Sequence, residues 1–117
     1  MNAEDFKERT KSFAIRIIHL VESVPKSSIG DILYRQLLRA GTSVGANYRS
    51  ACRARSHAEF IAKMGIVEEE CDESIYWMEF LIATGHVKPS GITDLLKESN
   101  EILSVVVASL KTARSRK

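Results

Sequence analysis

Glu68, Glu69, Glu70, Asp72 and Glu73 put five carboxylates into six consecutive residues. Carboxylates on facing helices can hold two metal ions, but such sites also need Glu-x-x-His pairs turned inward. His19, His57 and His86 are scattered and complete no such pair. At about 100° per residue, Glu68, Asp72 and Glu79 cluster away from Met64, Cys71 and Met78. The run therefore reads as a solvated or interface acidic face, with no metal expected. The stretch Gly41-Thr42-Ser43-Val44-Gly45-Ala46-Asn47 has the small residues of a phosphate-cradling loop. A Walker loop, however, needs Lys-Ser/Thr after its glycines and a strand before them, and neither is present. Cys52 and Cys71 have no metal-type neighbours and no export context, so both read as buried reduced thiols. No spacing supports a Ser/His/Asp or Cys/His pairing. The expectation is a protein that is no enzyme, with no cofactor and no small-molecule substrate.

Arginine is the remaining chemistry. Arg35, Arg39, Arg49 and Arg53 fall within about 40° of one direction if residues 35–53 form one helix, opposite Leu37 and Val44. At ~1.5 Å per residue the stripe is about 27 Å long. Such a stripe can follow a phosphate backbone. It can equally pair with the acids of the run above, in the same subunit or a neighbour. No aromatic side chains interleave with it, so base stacking is not expected and any binding would be weakly sequence-specific and salt-dependent.

These residues must be held by regular elements. Pro25 and Pro89 each follow a periodic apolar segment and mark its end. Phe6, Thr10, Phe13, Ile17, Leu20 or Val21, and Val24 define a first helix over about 4–24. Leu33, Leu37, Ala40, Val44, Tyr48 and Ala51 share one face straight through the glycine-containing stretch, which predicts a second helix over 28–54. Its internal glycines cost about 1 kcal/mol each relative to alanine. Close approach of another backbone at Ala40, Gly41, Val44, Gly45 and Ala51 would offset that; a kink at Gly41–Gly45 is the alternative. Ser56 and Glu59 fit a capping box in which the glutamate reaches back to the cap amide. Phe60, Met64, Val67, Cys71, Ser74, Met78 and Leu81 then alternate steps of four and three, a packing seam on a third helix over 57–84 that stops at Gly85. Ser90 is the expected cap of a fourth helix over 90–113, carrying Ile92, Leu95, Ser99, Ile102, Val106 and Leu110.

No segment alternates with period two, so the fold expected is all-α: a single antiparallel up-and-down four-helix bundle spanning residues 1–117. Ile15, Ile61, Tyr76, Trp77, Phe80, Val105 and Val107 lie off the core stripes. They predict self-association into a homo-oligomer with Tyr76, Trp77 and Phe80 at its interface; a wide core stripe that absorbs them is the alternative. Charge is segregated although the total is only +2. The first helix is balanced, the second carries +4, the third −6, and the fourth with its tail +2, ending in Lys111, Arg114, Arg116 and Lys117. No apolar run approaches the ~20 residues of a membrane span, and the first residues do not resemble a leader. A cytoplasmic protein without membrane contact is expected.

The blocks "LLRAGTSVGANYRSACRARS" and "AEFIAKMGIVEEECDESIYWMEFLI", with "SFAIRIIHLVESVP" before and "VASLKTAR" after, closely resemble the four-helix-bundle proteins encoded in intervening sequences of bacterial 23S rRNA genes. The similarity runs from about Arg9 to Arg114, and Gly41, Thr42, Ser43, Val44, Ala46 and Asn47 match the family's second-helix motif. The resemblance implies an antiparallel bundle assembled as a homopentamer. It also implies kinship with accessory proteins of diversity-generating retroelements, which bind nucleic acid and a reverse transcriptase through basic surfaces. It carries over no catalytic residues, and the family's ribosomal label reflects where the genes lie. At +2 the chain is less cationic than those accessory proteins. The expectation is therefore a cyclic homopentamer that contacts RNA or DNA through Arg35, Arg39, Arg49, Arg53 and the basic tail. The alternative is an interaction scaffold without nucleic acid, its arginines facing the acids of the third helix.

Overall fold

In the computed structural model, which describes residues 1–116, each helix starts where a short polar side chain can take up a free amide, with one exception. Asn2 Oδ1 accepts from the Asp5 N–H at 2.8 Å and opens α1, Ala3–Ser23, whose first turn carries Glu4 and Asp5 at its positive end. Ser27 Oγ accepts from the Gly30 N–H at 2.9 Å and opens α2, Ser28–Cys52. Ser56 Oγ accepts from the Glu59 N–H at 3.0 Å and opens α3, His57–Ala83. The Glu59 carboxylate, expected to reach back to the cap amide, accepts instead from the N–H of Arg55, one residue earlier, at 3.2 Å. The exception is α4, Thr93–Ser115, which has no side-chain cap. Its expected start at Ser90 is displaced because Pro89–Gly91 winds a 3₁₀ turn first. The buried Ile92 side chain then anchors the helix, and its carbonyl accepts from the Leu96 N–H to close the first turn.

The ends are equally local in origin. Gly85 takes φ +76°, the left-handed value glycine adopts without a Cβ clash. The His86 N–H then reaches the Leu81 carbonyl and the Gly85 N–H the Ile82 carbonyl, closing α3 with paired reverse bonds. At the end of α2, Arg53 and Ala54 donate to carbonyls three residues back, so the α-helix stops at Cys52, two residues before the expected 54.

Among the described residues there are four α-helices and no strand. Each helix packs on the next in sequence, α2 on α3 most extensively, while α1 and α4 close the ring along the loosest seam. The result is an up-and-down bundle of 48 × 22 × 22 Å. Phe13 and Ile17, Leu37 and Val44, Val67 and Met78, Ile102 and Val106 supply its central layers, each fully buried. Burial of such a side chain is worth about 1.5–3 kcal/mol, so the four stripes together hold the bundle. The three buried hydroxyls are satisfied along their own helices: Thr10 Oγ1 donates to the Phe6 carbonyl, Ser74 Oγ to Glu70 and Ser99 Oγ to Leu95.

α2 runs unbroken through Gly41–Gly45, so there is no kink. The reason is α1. A Cβ on Gly41 would overlap Ile17 Cδ1, and one on Gly45 would sit 3.1 Å from Thr10 Oγ1. The missing side chains let α1 lie close, and the packing gained offsets the weaker helix propensity. Ala40, Val44 and Ala51 are buried on the same helix.

Candidate nucleic-acid interface

The continuous register of α2 leaves Arg35, Arg39, Arg49 and Arg53 all exposed, but their surroundings differ. Arg39 lies against α3: its Nη1 is 3.1 Å from Glu70 Oε2, and its Nη2 is in contact with Glu73 Oε2. Among the described residues Arg35, Arg49 and Arg53 form no ion pair. The stripe thus divides. Its middle is spent on α3, and its ends are free to meet an anion.

Arg49 and Arg53 form a ridge between two grooves. On one side, between α1 and α2, a groove of about 500 Å³ is lined by Lys7, Lys11, Thr42, Gly45 and Ala46, with Glu4 and Glu8 on its α1 side. On the other, between α2 and α3, a shallower groove of about 300 Å³ is lined by Ser50, Glu59 and Lys63. Lys63 Nζ donates to Ser50 Oγ at 2.6 Å, which ties that ammonium to α2. Lys7, Lys11 and Lys63 were not among the expected site residues. Helix by helix, α1 is charge-neutral and α3 acidic; only the register between helices brings their lysines beside the arginines. The hint in the sequence is that Lys7 and Lys11 flank Thr10, the residue that packs under Gly45.

The tail of α4 comes to the same end of the rod. His57 Nε2 lies 2.8 Å from the Ala113 carbonyl oxygen, pinning the start of α3 to the end of α4. Lys111 and Arg114 are exposed there, and Arg116 lines a recess of about 690 Å³ with His57 and Phe60. Lys117 lies outside the described residues. Residues 1–12, 45–66 and 98–116, which meet at this end, carry ten Lys and Arg against six acids, or +4. Residues 13–44 and 67–97 carry six against nine, or −3. The bundle is electrically polarised along its length, a property hidden by the small net charge.

At the acidic end the aromatic trio is clustered. Tyr76 stacks on Phe80 at 5.8 Å, and Trp77 meets both rings edge-on. Trp77, Phe80, Ile61 and Val105 prove partly buried against the core, which is broader than the stripes implied. Ile15, Tyr76 and Val107 remain exposed, joined by Ile18, Ile29, Ile32 and Ile66, which were not among the residues expected there. Trp77 Nε1 is buried with no hydrogen-bond partner among the described residues.

Two titrating groups bear on chemistry. Burial pushes the Cys71 thiol up to about 12, which makes it a poor nucleophile. Cys52, expected to be buried as well, is exposed because it closes α2 beyond the last core layer. The Tyr48 hydroxyl is raised by burial and by its neighbour Cys52, and the ring packs edge-on to Phe6 at 4.7 Å. No helix among the described residues is long and apolar enough to cross a membrane.

A family model described as 23S rRNA-intervening sequence protein matches residues 4–108. Among solved structures, the chain is similar to a protein of unknown function from the S23 ribosomal protein family of Bacteroides thetaiotaomicron. The identity is 33%, covering 95% of this chain and 99% of that one, with a TM-score of 0.87. No curated protein matches.

Proposed function

The chain belongs to the 23S rRNA-intervening sequence protein family, and from that premise we propose that it is a non-enzymatic, cytoplasmic homopentamer that associates with RNA or DNA through the basic face of α2. The observation that carries the reading is that Arg49 and Arg53 project from a continuous helix with no ion pair among the described residues, at the +4 end of a polarised rod. Phosphate contacts by such groups release counterions, so affinity falls steeply with salt. Replacing Arg35, Arg39, Arg49 and Arg53 with glutamine should weaken RNA retention and flatten its salt dependence. Wild-type protein that is not retained on RNA at low salt would defeat the reading.

Self-association is supported by the family resemblance and by the exposed apolar residues, Tyr76 among them, beside the partly buried Trp77 and Phe80. The expected solution mass is five times the 13.1 kDa chain. A Tyr76→Glu variant should lower that mass while keeping its helical content; an unchanged mass would place the interface elsewhere.

Arg39 favours a second reading. Its contacts with Glu70 and Glu73 are those of a scaffold whose arginines serve protein packing. If that role extended to the whole stripe, the four-glutamine variant would loosen the oligomer and leave RNA retention unaltered.

A further inference from the structure

Lys7 and Lys11 stand one turn apart on α1, and Arg49 and Arg53 stand one turn apart on the facing side of α2. The floor between them is low. At Gly45 the helices approach so closely that a Cβ would lie 3.4 Å from the Thr10 carbonyl carbon, and Ala14, Thr42 and Ala46 raise nothing bulky along the same trough. Four cations face one another across the groove against two carboxylates on its α1 rim, Glu4 and Glu8, which leaves a surplus of +2. Among the described residues Lys7 alone has an acidic partner, Glu4 at 3.0 Å, and that pair is 82% exposed on its Glu4 side. Exposed pairs of this kind contribute little. The surplus positive charge favours an anion in the groove.

We infer that the α1–α2 groove seats a single-stranded stretch of nucleic acid by its phosphodiester backbone, with Lys7 and Lys11 on one wall and Arg49 and Arg53 on the other. The inference rests on the proposed nucleic-acid association and narrows it to one groove. Residues four apart on a helix are separated by ~6 Å along the axis, the order of the distance between successive phosphates, so each wall can engage consecutive groups. Helices in contact lie about 8–10 Å apart, a trough too narrow for a duplex. No aromatic side chain lines it, so bases face outward and recognition is indifferent to sequence. Glu4 and Glu8 oppose the ligand from the α1 rim.

Anisotropy of a short fluorescein-labelled single-stranded RNA, read against salt, tests the assignment in the full-length protein. Same-sequence DNA, the duplex and polyglutamate as competitor form the other arms, with circular dichroism to check that each variant folds. Lys7→Gln/Lys11→Gln should weaken binding about 10-fold and make the log–log salt slope shallower by about 1.4, or ~0.7 for each of two phosphates no longer neutralised. Glu8→Gln should tighten binding several-fold, which loss of structure cannot do, and Lys88→Gln, an exposed cation in the opposite half of the rod, should leave it unchanged. RNA and DNA strands should bind within a few-fold of each other. No binding by the wild type would overturn the nucleic-acid reading and the groove together. Binding unaffected by Lys7→Gln/Lys11→Gln but abolished in Arg114→Gln/Arg116→Gln would overturn the groove alone. Tighter binding of the duplex, or competition by polyglutamate as effective as by RNA, would also overturn it.

Discussion

Arg39 and Arg53 are the same side chain on the same helix, yet one is held by two carboxylates and the other by none among the described residues. What separates them is the partner helix, since the acids of α3 lie opposite the middle of α2 and thin out toward its end. A second arginine makes the contrast sharper. Arg9 binds Glu98 through two hydrogen bonds, at 2.8 and 2.7 Å, across the loose α1–α4 seam. The side chains are 23% and 18% exposed, so the pair is shielded enough to matter. The hydrogen bond from Arg9 holds the Glu98 carboxyl below its ordinary range, against the opposing effect of burial. A carboxyl whose folded pKa is depressed stabilises the fold above its unfolded value and loses that contribution as pH falls through the folded one. Thermal unfolding followed from about pH 6 to about pH 3 should therefore show a steeper loss in the wild type than in Glu98→Gln. Arg9→Gln should cost ~1 kcal/mol at neutral pH and flatten the acid limb. An identical pH profile in all three proteins would mean the pair contributes nothing.

Helices are where the sequence was most legible. The apolar stripes of all four could be read because a 3.6-residue period leaves its mark on every turn, and Phe13, Leu37, Val67 and Ile102 sit in the core where that period puts them. Where one local rule competed with another, the reading slipped. Ser90 has the right chemistry for a cap, but Pro89 before it favours a 3₁₀ turn, and the helix waits for Thr93. Glycines show the same limit. Gly41 and Gly65 are both helix-interior, and nothing in their immediate sequence says that one faces Ile17 while the other is open, with no atom within 4 Å of where a methyl group would stand. Gly65→Ala should raise stability by about 0.5–1 kcal/mol through helix propensity. Gly41→Ala gains the same propensity but must displace a fully buried Ile17, and should lose about 1 kcal/mol net. Chemical denaturation checks both, and a Gly41→Ala protein more stable than wild type would show that α1 can yield.

At the scale of the molecule, the two signs of charge are sorted toward opposite ends. Basic side chains gather where α1 and α3 begin and α2 and α4 end, and the aromatic cluster with most of the acids lies in the other half. This sorting was not legible, although the α2 stripe was. A per-helix count reads α1 as neutral, and only the antiparallel register places its lysines beside Arg49 and Arg53. An assembly that joins copies through the aromatic end would leave the basic ends available to a common ligand. The most direct test of that picture is to photo-crosslink a thiouridine-containing single-stranded RNA to the intact protein and locate the attached peptides by mass spectrometry. Crosslinks should fall within residues 1–12 and 45–66, around Lys7, Lys11, Arg49 and Arg53; crosslinks confined to residues 67–97, or none at low salt, would contradict it.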